Sequence, residues 1–107
     1  MLPPKMTAPW ELYAGDESSI APLFTTDGTT PEVLPLTGWQ ATWRSYAGST
    51  DSVAIAVDAT NAASGILVLS LTGAQTAAMT AAGVFDVQNG DRTYLRGETA
   101  WSLDVTR

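Results

Sequence analysis

The sequence predicts an all-β fold, a sandwich or barrel interrupted by one short helical crossover. Three observations carry that expectation. Several short segments alternate apolar and polar residues with the period of two of half-buried strands. Clusters of Gly, Asn, Asp, Ser and Thr separate them at spacings typical of antiparallel β-domains. One stretch alone, "LTGAQTAAM" at 71–79, carries the composition and start signal of a helix.

Residues 1–9 include Pro3, Pro4 and Pro9, which cannot donate to a ladder, so this stretch reads as an extended N-terminal arm preceding a domain over 10–107. "WELYAG" at 10–15 reads as a first strand ending at the turn "GDES", and a short strand is expected around Leu23–Thr25. Pro31 and Pro35 confine the stretch that follows to a sheet edge or a loop. In "WQATWRSY", Trp39, Ala41 and Trp43 share one face, and in "VAIAV", Val53, Ile55 and Val57 do the same. "DATNAASG" is a loop, and "ILVLSL" puts Leu67, Leu69 and Leu71 inward, with Ile66 and Val68 making its second face apolar too.

Thr72 followed by Gln75 fits a capping box, in which hydroxyl and amide each satisfy a backbone N–H left over at a helix start. The Ala-rich run extends the helix over 73–81, Leu71 and Met79 anchor it to the sheet, and Gly83 supplies the stop. Such a piece is too short to stand alone. It is expected to carry the chain between sheets. "VFDVQ", with Phe85 and Val87 on one face, leads into the hairpin signal "NGD". "RTYLRG" pairs back, and "TAWSLDV" closes the domain with Trp101, Leu103 and Val105 inward. Trp39, Trp43, Phe85 and Trp101 would form an aromatic core.

A chain of 107 residues is one domain by length and buries roughly two-thirds of its unfolded surface, enough for a single core. Eleven acidic against five basic residues leave a net charge of −6, and Lys5, Arg44, Arg92, Arg96 and Arg107 form no run. This argues against nucleic acid and anionic membranes, which need a basic patch. No apolar stretch approaches the ~20 residues of a membrane span, and "MLPPKMTAPW" lacks the apolar block of a signal peptide. The expectation is a protein made in the cytoplasm, its final location open.

Histidine and cysteine are absent, which removes His-assisted nucleophiles, thiol chemistry and the commonest zinc ligands. The carboxylate pairs Asp16/Glu17 and Asp86/Asp91 sit beside turn signals, where carboxylates cap turns or stay solvated. Asp58 with Asn61, and Asn89 with Asp91, lack the ligand density of a calcium loop. There is no phosphate-binding glycine loop. The reading therefore assigns no catalytic residue, no metal ligand and no cofactor. Trp39, Trp43 and Trp101 fall on core-facing positions rather than on a sugar-stacking platform, whereas Trp10, beside the prolines, either anchors a protein interface or covers the core edge.

Four stretches, "AGDESSIAPLFTTDGTTPEVLPLTGWQATWRS", "GILVLSLTGAQTAAM", "AGVFDVQ" and "RGETAWSLDVTR", resemble the small immunoglobulin-like β-domains of tailed-phage virion proteins, especially those of phages infecting actinobacteria. The "L-x-L-T-x-x-Q-T" crossover together with the terminal "DVTR" carries most of the likeness. "VFDVQ" departs from the more aromatic strand common there, and the chain has no long C-terminal extension. The resemblance implies a single Ig-like antiparallel β-sandwich and a non-enzymatic structural protein, assembled in the bacterial host cytoplasm and resident in the virion. Its implied partners are capsid, portal or connector, or tail subunits, in multiple symmetric copies. Without a fibre extension, head or neck is favoured over tail or baseplate. Contacts are expected through Pro3, Pro4, Pro9 and Trp10 of the arm and through Asp104 and Arg107 of the C-terminus. The alternative is a tail, baseplate or decoration module binding host carbohydrate, which requires Trp10, Tyr13, Tyr46 or Tyr94 to be exposed on a flat face.

Overall fold

The computed structural model describes residues 9–26, 29–46, 48–79 and 82–102. Its elements in chain order are β1 (Trp10–Tyr13), β2 (Ser18–Ile20), β3 (Trp39–Arg44), β4 (Val53–Asp58), a 3-10 turn (Ala62–Ser64), β5 (Val68–Leu71), α1 (Gly73–Ala78), β6 (Gly83–Asn89) and β7 (Arg92–Ser102). The seven strands form one sheet in the order β1-β7-β6-β3-β4-β5-β2, curled until it is nearly closed. The all-β expectation holds. Pairing is antiparallel throughout except at one edge, where β1 runs parallel to β7, with Trp10 opposite Thr99 and Tyr13 opposite Ser102. The expectation of a wholly antiparallel sheet is corrected there.

The inward faces are those that the alternation predicts. Ala41, Trp43, Ile55, Phe85 and Val87 are buried, and Leu67, Leu69 and Leu71 expose no surface at all. Each leucine so buried contributes about 1.5–3 kcal/mol relative to exposure. Trp39, Val53, Val57 and Trp101 are partly buried against this core. Trp10 and Phe85, on the strands either side of β7, meet edge-to-face with centroids 5.6 Å apart. Gly97 lies opposite Phe85 on the strand between them.

Four elements differ from expectation. β2 was not anticipated as a strand, because "SSI" has neither length nor a pattern. It forms because Ser18, Ser19 and Ile20 pair with Leu71, Ser70 and Leu69 of β5. The same register continues through the isolated bridge Leu23–Ile66, and with the bridge Thr25–Pro31 it marks where a strand was expected around Leu23–Thr25. Second, "RTYLRG" and "TAWS" belong to one strand of 11 residues. A bulge near Val87/Gln88 shifts its register, so Leu95 faces Val87 while Thr93 faces Gln88. Tyr94 is the extra residue, which lets both Tyr94 and Leu95 turn inward.

Third, the hairpin loop is Gly90–Asp91, with Asn89 paired to Arg92. Gly90 has φ +60° while Asp91 has no positive φ, the pattern of a type II′ turn. Fourth, α1 ends earlier than 81. Met79 closes it in extended conformation, its N–H donating to the Gln75 carbonyl. Gly83 is not the helix stop but the first residue of β6, and a Cβ there would collide with the Arg44 carbonyl oxygen and the Trp43 indole. Leu103 and Val105, expected inward, lie outside the described residues.

The capping box forms as expected: Gln75 N–H donates to Thr72 Oγ1 at 3.2 Å, and Thr72 N–H donates to Gln75 Oε1 at 2.8 Å. Met79 is 1% exposed, so Leu71 and Met79 do anchor the helix. The helix carries the chain from β5, beside β2 and β4, to β6, beside β3 and β7. It also ties the two edges of the sheet. Thr76, with no exposure, accepts from Gly15 N–H at 3.1 Å and donates to the Asp16 carbonyl at 2.9 Å, both in the turn joining β1 to β2. Trp101 Nε1 donates to the Thr76 carbonyl at 3.0 Å.

Candidate functional site

The anticipated contact residues divide between core, surface and the undescribed termini. Trp10 is in the core at 3% exposure, and its Nε1 donates to Ser18 Oγ at 2.9 Å across the open seam of the sheet. Its ring is therefore spent on the domain's own packing. Pro9 is exposed. Pro3, Pro4, Asp104 and Arg107 lie outside the described residues.

The carboxylate pairs separate. Asp86 stands in the middle of β6, accepting from Gln88 Nε2 at 3.3 Å, whereas Asp91 is an exposed residue of the hairpin loop. Asp16 and Glu17 belong to the turn before β2, where the Asp16 N–H donates to the Tyr13 carbonyl. Asp58 receives the Thr60 hydroxyl at 2.6 Å and its N–H at 2.9 Å. These bonds hold the Asp58 carboxyl below its ordinary range, the hydroxyl first. Asn61 presents its backbone carbonyl to Ser64 and Ile66 within the same loop. Asn89 Nδ2 donates to the Thr37 carbonyl at 2.7 Å, pinning the proline-containing loop to the hairpin. Among the described residues no three His, Cys, Asp or Glu side chains gather as metal ligands.

Of the aromatic residues weighed for carbohydrate, Trp10 and Tyr94 are buried, while Tyr13 and Tyr46 are 48% and 65% exposed. Tyr94 lies against Trp39 at 4.7 Å between centroids, and the Arg92 guanidinium covers its ring at 4.0 Å. Arg92 Nη1 also donates to Glu32 at 3.2 Å.

What the sequence reading passed over is the outer face of the central strands. Asp86 pairs across to Thr42 on one side and Arg96 on the other, and Val84 pairs to Arg44 and Glu98. Side chains at these positions share the outward face. They form two adjacent rows: Thr42, Asp86, Arg96, and Arg44, Val84, Glu98. An open groove of about 440 Å³ lies over them, bounded at one side by Gly48. Arg44 Nη1 donates to the carbonyls of Ser49 at 2.8 Å and Asp51 at 3.3 Å, bracing the turn after β3. The Asp51 carboxyl is held below its ordinary range, first by the Ser49 hydroxyl and then by the Ser45 hydroxyl. The outward phase of Thr42, Arg44 and Asp86 was readable in the alternation, whereas that of Arg96 follows from the bulge at Tyr94. Their alignment across strands required the register.

Set beside known proteins, the chain matches no family model and no curated sequence.

Proposed function

We propose that this chain is a non-enzymatic structural component of a tailed-phage virion, packing on neighbouring head or neck subunits, capsid or connector, and built as an Ig-like domain. One observation carries the reading. The most distinctive stretch of the phage resemblance, "L-x-L-T-x-x-Q-T", folds as a single device: Leu69 and Leu71 enter the core, Thr72 and Gln75 cap α1, and Thr76 ties the helix to the turn between β1 and β2. Its residues specify an architecture, which is what a family of assembly modules holds in common.

The strand pairing supports the Ig-like part of the proposal. Lettered A to G in chain order, β2–β5, β5–β4, β3–β6 and β6–β7 are the B–E, E–D, C–F and F–G pairs of an Ig sandwich. Two features depart from it. β4 also pairs with β3, joining the two halves into one sheet, and β1 lies beside β7 rather than β2. The exposed apolar side chains Leu23, Val33 and Leu36 all lie in the 21–38 segment and suit a subunit contact.

The arm is proposed as the main tether. Deleting residues 1–9 should leave the melting temperature of the domain unchanged and abolish incorporation into particles. Normal incorporation of the shortened chain would refute the tether.

The exposed rings of Tyr13 and Tyr46 favour a second reading, a tail or decoration module that stacks on host surface carbohydrate. A glycan array with no binding at millimolar sensitivity would dispose of it.

A further inference from the structure

We propose that the outer face of β3, β6 and β7 binds a second copy of this chain across a two-fold axis, pairing Arg96 of each copy with Glu98 of the other. The inference rests on the face itself and not on the virion reading. Its central row positions carry two arginines (Arg44, Arg96) and two carboxylates (Asp86, Glu98), so the face is neutral, although the chain as a whole carries −6. Two copies of so acidic a protein repel through most of their surface, and a contact between them needs a locally balanced patch.

The arrangement of charges is self-complementary. Arg96 and Glu98 stand in adjacent rows on the same strand and are both exposed. A two-fold axis lying in the face and crossing the strands exchanges the rows, as an isologous contact requires. Arg96 then meets Glu98 of the other copy twice, Asp86 meets Val84, and Thr42 meets Arg44. No like charges are brought together. The half-buried Val84 lies at the centre of the patch.

Other occupants fit less well. The groove is open and edged by four charged side chains, whereas small-molecule sites enclose most of their ligand. A polyanion would meet Asp86 and Glu98 beside every arginine, and phosphate contacts need basic residues unopposed.

The test is sedimentation equilibrium of the full chain over a wide concentration range, with Arg96→Glu, Glu98→Arg and the double exchange R96E/E98R. The wild type is expected to dimerise. Each single variant sets like charges opposite each other twice and should raise the dissociation constant at least tenfold. An equimolar mixture of the two single variants should associate again as a mixed dimer, and so should the double exchange alone. Both positions are exposed, and unchanged circular dichroism and melting will show that the variants fold. A wild type that stays monomeric at millimolar concentration would overturn the proposal. So would a dimer indifferent to both reversals, or single variants that fail to recover on mixing.

Discussion

Replacing Thr76 with valine removes a hydroxyl from a position with no solvent exposure while keeping the shape of the side chain. Three backbone contacts of the hydroxyl are lost, from the Gly15 N–H at 3.1 Å and to the carbonyls of Asp16 at 2.9 Å and Gly73 at 3.1 Å. A buried polar group left unpaired costs about 1–3 kcal/mol. Gly15 is exposed and Asp16 half-buried, so water recovers part of the loss, and the sum for Thr76→Val comes to about 2 kcal/mol. Thr76→Ser makes the opposite trade. It keeps the hydroxyl and gives up one buried methyl, about 0.8 kcal/mol. The order of stability is therefore wild type, serine, valine. Urea denaturation followed by tryptophan fluorescence measures it directly. With a slope of about 2 kcal/mol/M, the valine variant should unfold about 1 M earlier than wild type, and the serine variant by less than half of that. A valine variant as stable as the serine variant, or more so, would refute the claim that the hydroxyl ties the crossover helix to the sheet edges.

Further outcomes follow from other contacts. Thr99→Val should cost about 2–3 kcal/mol in the same assay, because Thr99 Oγ1 accepts from both Trp43 Nε1 at 2.8 Å and Gly83 N–H at 2.9 Å. Gly83→Ala forces a methyl onto the Arg44 carbonyl and the Trp43 indole, and should cost about 3 kcal/mol, the upper end for overpacking, with a matching fall in melting temperature. The carboxyls of Asp51 and Asp58 are held below their ordinary 3.8 by neighbouring hydroxyls and N–H groups. They therefore contribute stability that is present above that value and lost as the pH falls through their lower folded values. Melting temperature followed from neutral pH down to acid should accordingly drop less steeply for the variant carrying Asp51→Asn and Asp58→Asn than for wild type, and an equally steep drop would contradict the assignment.

The parts of the fold legible in the sequence are those where local pattern and tertiary environment agree. Leu67, Leu69 and Leu71 alternate because one face of β5 is core, and Thr72 with Gln75 forms its capping box from local geometry alone. β2 was invisible because "SSI" has no strand pattern of its own, and its conformation comes from pairing with β5. Gly97 read as the end of the returning segment "RTYLRG", yet it sits inside β7 opposite Phe85. Gly83 looked like a helix terminator, but the requirement there is space against β3. Trp10, read beside its prolines as either an interface anchor or a cover for the core edge, is buried because β1 joins β7 in parallel, a long-range pairing that no local pattern encodes. The charged face of β3, β6 and β7 shares that limit. Its residues were visible singly, and their neighbourhood depends on register and on the bulge at Val87/Gln88.

The proposed virion role is tested most directly by quantifying this chain, by mass spectrometry, in phage particles separated by density into heads and tails. The account predicts a fixed stoichiometric copy number in the head fraction, retained after washing. Enrichment in tails instead would move the protein to the baseplate and bring the carbohydrate reading forward. Absence from both fractions would contradict the account.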